Sequence, residues 1–264
     1  MNEDLSNAYR DGKLMLFAGA GVSANLGLPT WSDLVDRIAS ELGYDPTIFA
    51  TYGDPLALAE YYIKKTGSIG PLRSWMDRQW HRSDIDVSQS RIHRFIALGN
   101  FRRIYTTNYD RWLEAAHDEY GVRYDKVAKV SDLVATSESH RQIIKLHGDF
   151  DDDKSIVLCE TSFFDRLSFE SPLDIKLRND VLGNAVLFIG YSLSDINMRL
   201  LFYRLAKTWE DSVLPATRPK SYVFTHRPNP VAQEVLGSWG IELIVSEEDD
   251  PKTALTGFLA DLTS

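Results

Sequence analysis

Ala185-Val186-Leu187-Phe188-Ile189 is the run that most limits what this chain can become. Apolar residues in succession, ending at Gly190, predict a strand buried on both faces. Leu14-Met15-Leu16-Phe17-Ala18, ahead of Gly19, reads the same way. Shorter strands are expected at Arg103–Thr106, Gln142–Leu146, Tyr222–Phe224 and Ile241–Ile244, and a further one at Ser155–Leu158. Helical patterns lie between them. Trp31, Leu34, Val35, Ile38 and Leu42 recur at helical spacing behind Thr30 as N-cap, and another helix is expected from about Tyr109 to Tyr120. Such alternation implies an α/β fold, a Rossmann-like parallel sheet with helices on both faces.

One stretch interrupts the rhythm. From about Gly43 to Asn100, helical patterns (Leu56, Ala59, Tyr62, Ile63) and two tryptophans, Trp75 and Trp80, occur without a clear strand. It reads as a helical insertion (43–100) lying over the sheet edge, within one domain that takes up residues 1–264.

The bulk numbers exclude several classes. A formal charge of −9 argues against a dominant nucleic-acid surface, so no direct nucleic-acid binding is expected. Arg91, Arg94, Arg102 and Arg103 form the nearest basic run, which reads as a solvated helix face. Cys159 is the only cysteine, so neither an internal disulfide nor a four-cysteine zinc site can form. His81, His93, His117, His140 and His226 show no metal-ligand spacing. The N-terminus lacks the pattern of a secretory signal, and no apolar run reaches the roughly 18 residues that span a membrane. A cytoplasmic protein without a membrane partner is the expectation.

Chemistry concentrates where strands end, the place where open α/β sheets bind ligands. Gly19-Ala20-Gly21-Val22-Ser23-Ala24 follows a strand and precedes a helical stretch, with small residues that let backbone N–H groups approach a diphosphate. A hydride-transferring enzyme would want an acidic residue at the end of the second strand, but Asp33 and Asp36 fall within a helix, which disfavours that class. Thr106-Thr107-Asn108-Tyr109-Asp110 gathers hydroxyl, amide and carboxylate groups at another strand end, although Asn108 as a turn residue and Asp110 as a helix cap would explain both. His147 ends the apolar run Ile143-Ile144-Lys145-Leu146 and precedes Gly148, which places an imidazole at a strand mouth. Taken alone it would more often be structural. Gly190-Tyr191-Ser192-Leu193-Ser194-Asp195 follows the strand at 185–189, and Ser194 and Asp195 could equally cap the next helix.

In this order the clusters resemble the sirtuins, or SIR2-like domains. The likeness rests on Gly19-Ala20-Gly21-Val22-Ser23, Gly27-Leu28-Pro29, Thr106-Thr107-Asn108-Tyr109-Asp110, Leu146-His147-Gly148 and Gly190-Tyr191-Ser192. The resemblance implies a sirtuin-like fold with NAD as substrate. It assigns Gly19, Ala20, Gly21 and Ser23 to the phosphates, Asn108 and His147 to the catalytic ribose, Asp110 to the nicotinamide carboxamide, and Gly190 and Ser192 to the adenosine side. Thr107 stands where deacylating sirtuins carry a glutamine, and belongs to the same NAD-binding set. Gly27-Leu28-Pro29-Thr30-Trp31-Ser32 departs from their Gly-Ile-Pro-Asp-Phe-Arg, and their paired-cysteine zinc module has no counterpart. The pattern is thus similar to zinc-less bacterial domains, without a metal, that destroy NAD in antiviral defence.

That likeness implies an NAD+ glycohydrolase releasing nicotinamide and ADP-ribose through an oxocarbenium-like state. Asn108 would hold a water or a ribose hydroxyl, and His147 would accept a proton. Trp31 could cover the nicotinamide pocket or belong to the core, and His226 could touch the adenine. The alternatives are an NAD-dependent protein deacylase and a non-catalytic NAD- or ADP-ribose-binding regulatory subunit. No separate sensor domain is expected beyond the single domain, so control is expected through assembly, as a homo-oligomer or with a separately encoded HerA-type ATPase.

Overall fold

The structure is a computed structural model that describes residues 2–137, 139–167, 170–191, 196–210 and 218–264. Its strands are β1 (Leu14–Ala18), β2 (Arg103–Thr106), β3 (Tyr124–Val127), β4 (Arg141–Lys145), β5 (Ala185–Ile189), β6 (Ser221–Thr225) and β7 (Ile241–Val245). They form one sheet in the order β3-β4-β2-β1-β5-β6-β7, parallel at every pairing. β1 is central: the chain builds outward on one side through β2, β4 and β3, then crosses back to build β5, β6 and β7. The strand order therefore reverses between β1 and β5, and the crevice above that point is where such sheets bind ligands.

Alternation along the strands builds two cores. Leu14, Leu16 and Ala18 of β1 face one layer, where they meet Ile92 and Ile96 of the helix Arg91–Leu98 and Leu255 and Leu259 of the helix Pro251–Thr263. Met15 and Phe17 face the other, against Leu173 and Leu177 of the helix Pro172–Val181 and Phe202 of the helix Ile196–Glu210. Every residue of β1 and β5 is buried, as a central strand covered on both faces requires. No described helix is long and apolar enough to cross a membrane.

A third core sits above the strand ends. The helices Trp31–Leu42, Pro55–Thr66 and Gly70–Trp80 pack Ile38, Tyr62, Leu72 and Met76 against Tyr109, Phe150, Ile156 and Leu158. Tyr109 and Phe150 belong to the loops that follow β2 and β4. These helices thus form a cap over the carboxyl ends of interior strands, not a layer along the sheet edge. Thr30 starts the first of them with a reciprocal capping box to Asp33.

Two of the expected elements take another form. Ser155–Leu158 is no strand: a 3-10 turn at Asp153–Ser155 leads into an extended stretch bonded to the strand-end loops, with Val157 N–H donating to the His147 carbonyl at 2.9 Å, the Tyr109 hydroxyl to the Val157 carbonyl at 2.5 Å and Asp149 N–H to Ser155 Oγ at 3.0 Å. Its apolar residues pack into the cap instead of a ladder. The helix expected from Tyr109 spans Trp112–Glu119, because Asp110 accepts the Trp112 N–H at 3.1 Å and the chain turns there before it coils.

Candidate active site

The sheet ladder sets the geometry. Ala18 pairs with both Thr106 and Ile189, and Thr106 pairs with Lys145. The final residues of β1, β2, β4 and β5 therefore lie level, and Gly19, Thr107, Leu146 and Gly190 leave the sheet side by side. Asn108 and His147, each one residue further, reach the rim of one cavity of about 1130 Å³. Ala20, Gly21, Ser23, Thr107, Asp110 and Gly190 border the same space, with Gly19 set just behind. Ser192 lies outside the described residues, as do Leu193, Ser194 and Asp195.

The glycines serve first to let two loops interlock. Gly19 N–H donates to the Ile189 carbonyl at 2.9 Å and Gly21 N–H to the Gly190 carbonyl at 2.8 Å. A Cβ on Gly19 would come within 2.5 Å of the Gly190 oxygen, and one on Gly21 within 2.8 Å of the Gly190 Cα. Gly190 itself has φ +70°, and a Cβ there would meet the Val22 nitrogen at 2.7 Å. Backbone contact between the β1 and β5 loops leaves no room for a side chain. The Gly19 and Gly21 N–H groups are thus bonded within the protein, whereas the sequence suggested that they would face a diphosphate.

Asn108 is buried, and its amide orientation is fixed by its partners. Nδ2 donates to the Gly19 carbonyl and to Ser23 Oγ, both at 3.1 Å. A carbonyl can only accept, so the nitrogen must point at Gly19. Among the described residues Oδ1 accepts no hydrogen bond, and it is left to the cavity. The Asn108 backbone is held as well: its N–H donates to Thr106 Oγ1 at 3.0 Å, and that hydroxyl donates to the Ala18 carbonyl at 2.7 Å. Ser23 Oγ, acting as acceptor for Asn108, keeps its own proton for a further partner.

His147 presents its ring to the cavity, packed edge-on against Phe163 with centroids 5.1 Å apart. Burial in the cavity wall, reinforced by the Arg166 guanidinium, lowers its pKa to about 3, so the imidazole is neutral near pH 7. A neutral ring can accept a proton. Asp110 Oδ1 accepts the Trp112 N–H just ahead of the helix Trp112–Glu119, and the residue also borders the cavity. Thr107 Oγ1 lies 3.2 Å from the Tyr191 hydroxyl, which donates to the Ala18 carbonyl at 3.1 Å.

The structure adds residues that the sequence did not single out. Arg166 and Asp174 line the cavity as a pair, Nη2 to Oδ1 at 2.7 Å, with Arg166 Nη1 also on Ser171 Oγ at 2.6 Å. They come from the helices Glu160–Leu167 and Pro172–Val181, where an Arg and an Asp at helical spacing look like ordinary surface charge. Trp31 is 39% exposed and borders the cavity as part of the cap, so it is not core. His226 does not border the cavity. Among the described residues, no group of three or more His, Cys, Asp or Glu side chains is placed to hold a metal ion.

A model of the SIR2-like domain matches residues 102–244. The NAD(+) hydrolase ThsA of Bacillus cereus is 28% identical over 211 residues, 79% of this chain and 43% of that protein. Defense-associated sirtuin 2 of Bacillus subtilis is 29% identical over 244 residues, 89% of this chain and 23% of that protein. The chain spans less than half the length of these curated relatives. Among solved structures, the crystal structure of a Sir2 homolog–NAD complex shares the fold, with a TM-score of 0.51 at 15% identity over 100% of this chain and 96% of that one.

Proposed function

The chain belongs to the SIR2-like domain family, and on that footing we propose that it is an NAD+ glycohydrolase, splitting NAD+ and water into nicotinamide and ADP-ribose. One observation carries the reading: the Asn108 amide oxygen and the neutral His147 imidazole open onto a single cavity at the strand-order reversal. The hydrolase names of several relatives support it.

The residues have distinct tasks. In the overall reaction the bond from ribose C1′ to the nicotinamide nitrogen breaks, its electron pair stays with nicotinamide, and a water oxygen bonds to C1′. Because the leaving group departs neutral from a cationic state, no strong acid is needed. Asn108 Oδ1 accepts a proton-bearing partner, the water or a ribose hydroxyl, and so orients it. His147 takes the proton that the water or hydroxyl gives up. Ser23, Thr107, Asp110, Ala20 and Gly190 are assigned to NAD+ binding, with the free proton of the Ser23 hydroxyl directed to a ligand oxygen. Ser192 is assigned to the adenosine side on the family pattern alone.

Incubating the protein with NAD+ tests this directly. Stoichiometric nicotinamide and ADP-ribose are expected. NAD+ left intact, or O-acyl-ADP-ribose formed only with an acyl-lysine peptide, would overturn the assignment. We place the activity in antiviral defence, in keeping with the name of the Bacillus subtilis relative, with depletion of cellular NAD+ as its effect. We also assign its restraint to assembly, as a homo-oligomer or with a separately encoded HerA-type ATPase, in the cytoplasm. A protein that is monomeric and fully active by itself, measured by light scattering alongside turnover, would rule that restraint out.

A further inference from the structure

Lys145 is the last residue of β4, two positions before His147, and its side chain is completely buried. A buried ammonium is costly unless its protons are all used. Here they are. Nζ donates to the Asp110 carbonyl at 2.7 Å, the Tyr109 carbonyl at 3.0 Å and Glu114 Oε1 at 3.1 Å, and pairs with Asp149 Oδ2 at 2.9 Å.

These partners are not a random set. Tyr109 and Asp110 are the residues directly after Asn108, and among the described residues neither carbonyl accepts a backbone hydrogen bond. Lys145 is therefore the donor that holds both carbonyls inward. Asp149 is the second residue after His147, in a turn fixed by Gly148 at φ +87°, where a Cβ would lie 2.1 Å from the Ser155 carbonyl oxygen. Asp149 Oδ1 accepts the Asp151 N–H at 3.0 Å, and Asp149 N–H donates to Ser155 Oγ at 3.0 Å. Glu114 lies on the helix that continues from the Asn108 loop. One ammonium thus bonds both strand-end loops while buried outside the set of residues that line the cavity. Lys126, 3.3 Å from Asp149 Oδ2, supplies a second cation to that carboxylate but touches neither carbonyl of the Asn108 loop.

We infer that Lys145 is a positioning residue, which fixes the loop bearing Asn108 relative to the turn that follows His147. It does not touch substrate. It acts through the two groups that do, and in this sense the inference rests on the hydrolase reading. Misplacing either group by about 1 Å is enough to cost about 100-fold in rate.

Lys145→Met tests this, because the substitution keeps the stem and removes the charge. Asp149 keeps Lys126 as partner, and burial already raises the Glu114 carboxyl, so the variant has a route to a folded state. Melting, NAD+ turnover and backbone hydrogen exchange over 107–112, 146–151 and, as control, 221–225 are compared with wild type. The expected result is a folded protein with kcat reduced about 100-fold and KM changed by less than about threefold. Exchange should rise in both loop segments together and stay unchanged in the control. A kcat within about threefold of wild type, or faster exchange in only one loop, overturns the inference. If Lys145→Met does not fold, Lys145→Met/Glu114→Gln removes the unpaired carboxylate and carries the same measurements; failure of both to fold would make Lys145 a folding residue and overturn its positioning role. Wild type inert toward NAD+ would defeat the hydrolase reading alone, and the exchange data would still decide what Lys145 holds in place.

Discussion

Gly21 and Gly190 meet backbone to backbone: the Gly21 N–H donates to the Gly190 carbonyl at 2.8 Å, and a Cβ on Gly21 would sit 2.8 Å from the Gly190 Cα. This contact closes the crevice between β1 and β5 from below. Gly190 adds a positive φ, which any L side chain resists.

Gly190→Ala should therefore lose about 2–4 kcal/mol of stability and most ligand binding, since the clash is with backbone and cannot relax by a rotamer change. Gly183→Ala is the control, because a Cβ there meets nothing within 4 Å. Urea denaturation of the two variants decides it; equal midpoints would contradict the interlock.

Asn108→Ala removes two hydrogen bonds at once, takes from Ser23 Oγ its Asn108 donor and leaves the Gly19 carbonyl with the Val22 N–H alone. A stability loss of about 1–3 kcal/mol and a fall in NAD+ turnover of about 10²–10³-fold are expected. Asn108→Asp keeps an oxygen toward the cavity but sets a second against the Gly19 carbonyl, so it should not restore activity. Turnover close to wild type in the Asp variant would show that Oδ1 alone suffices and that the amide orientation is incidental.

His147→Gln keeps a polar side chain but removes a proton acceptor of the imidazole type. Turnover should fall about 10²–10⁴-fold with KM for NAD+ little changed. Steady-state kinetics on the folded variant checks this. A raised KM with unchanged kcat would make His147 a binding residue instead.

Acid should weaken the fold before the carboxylates titrate. Burial lowers His93 and His117 to about 4 and His147 to about 3, from an ordinary value of 6.5. His117 shows why: its Nδ1 meets the Leu113 carbonyl at 2.7 Å and its Nε2 lies 2.9 Å from the Arg141 guanidinium, so a second ring proton has no place. The unfolded chain takes up protons below pH 6.5 that the folded chain refuses, so stability is full above 6.5 and declines as pH falls toward 4. Each histidine adds a slope approaching about 1.4 kcal/mol per pH unit within that window. Urea midpoints at pH 7.5, 6 and 5 should fall in that order, and His117→Gln should flatten the decline. A midpoint independent of pH over that range would refute the assignment.

Much of this was legible in the chain. The apolar runs of β1 and β5 announce central strands because burial on both faces admits no polar residue. β3 escaped notice because an edge strand half open to solvent, Tyr124-Asp125-Lys126-Val127, carries no such run. Ile156-Val157-Leu158 misled in the opposite direction, since Ile156 and Leu158 answer to the cap and not to a ladder. At the site, Asn108, Asp110 and His147 stand out by residue type, but no spacing reveals which way the Asn108 amide points or that Gly21 bonds Gly190. Arg166 and Asp174 stayed hidden because a helix can turn such a pair toward water or toward a cavity with the same sequence pattern. Lys145 was visible as a charge inside an apolar run, and only its partners were not.

Strand register carries one more consequence. A ladder shifts by whole residues or not at all, so the spacing among the four loops that leave β1, β2, β4 and β5 behaves as an integer, immune to gradual drift. The cap helices are under no such restriction, since side-chain packing and individual bonds such as Arg111 to Asp77 at 2.8 Å, not a ladder, hold them over the strand ends. Sequence divergence can therefore remodel the roof of the cavity, and with it what may enter, in small continuous steps while the reacting groups beneath keep their places.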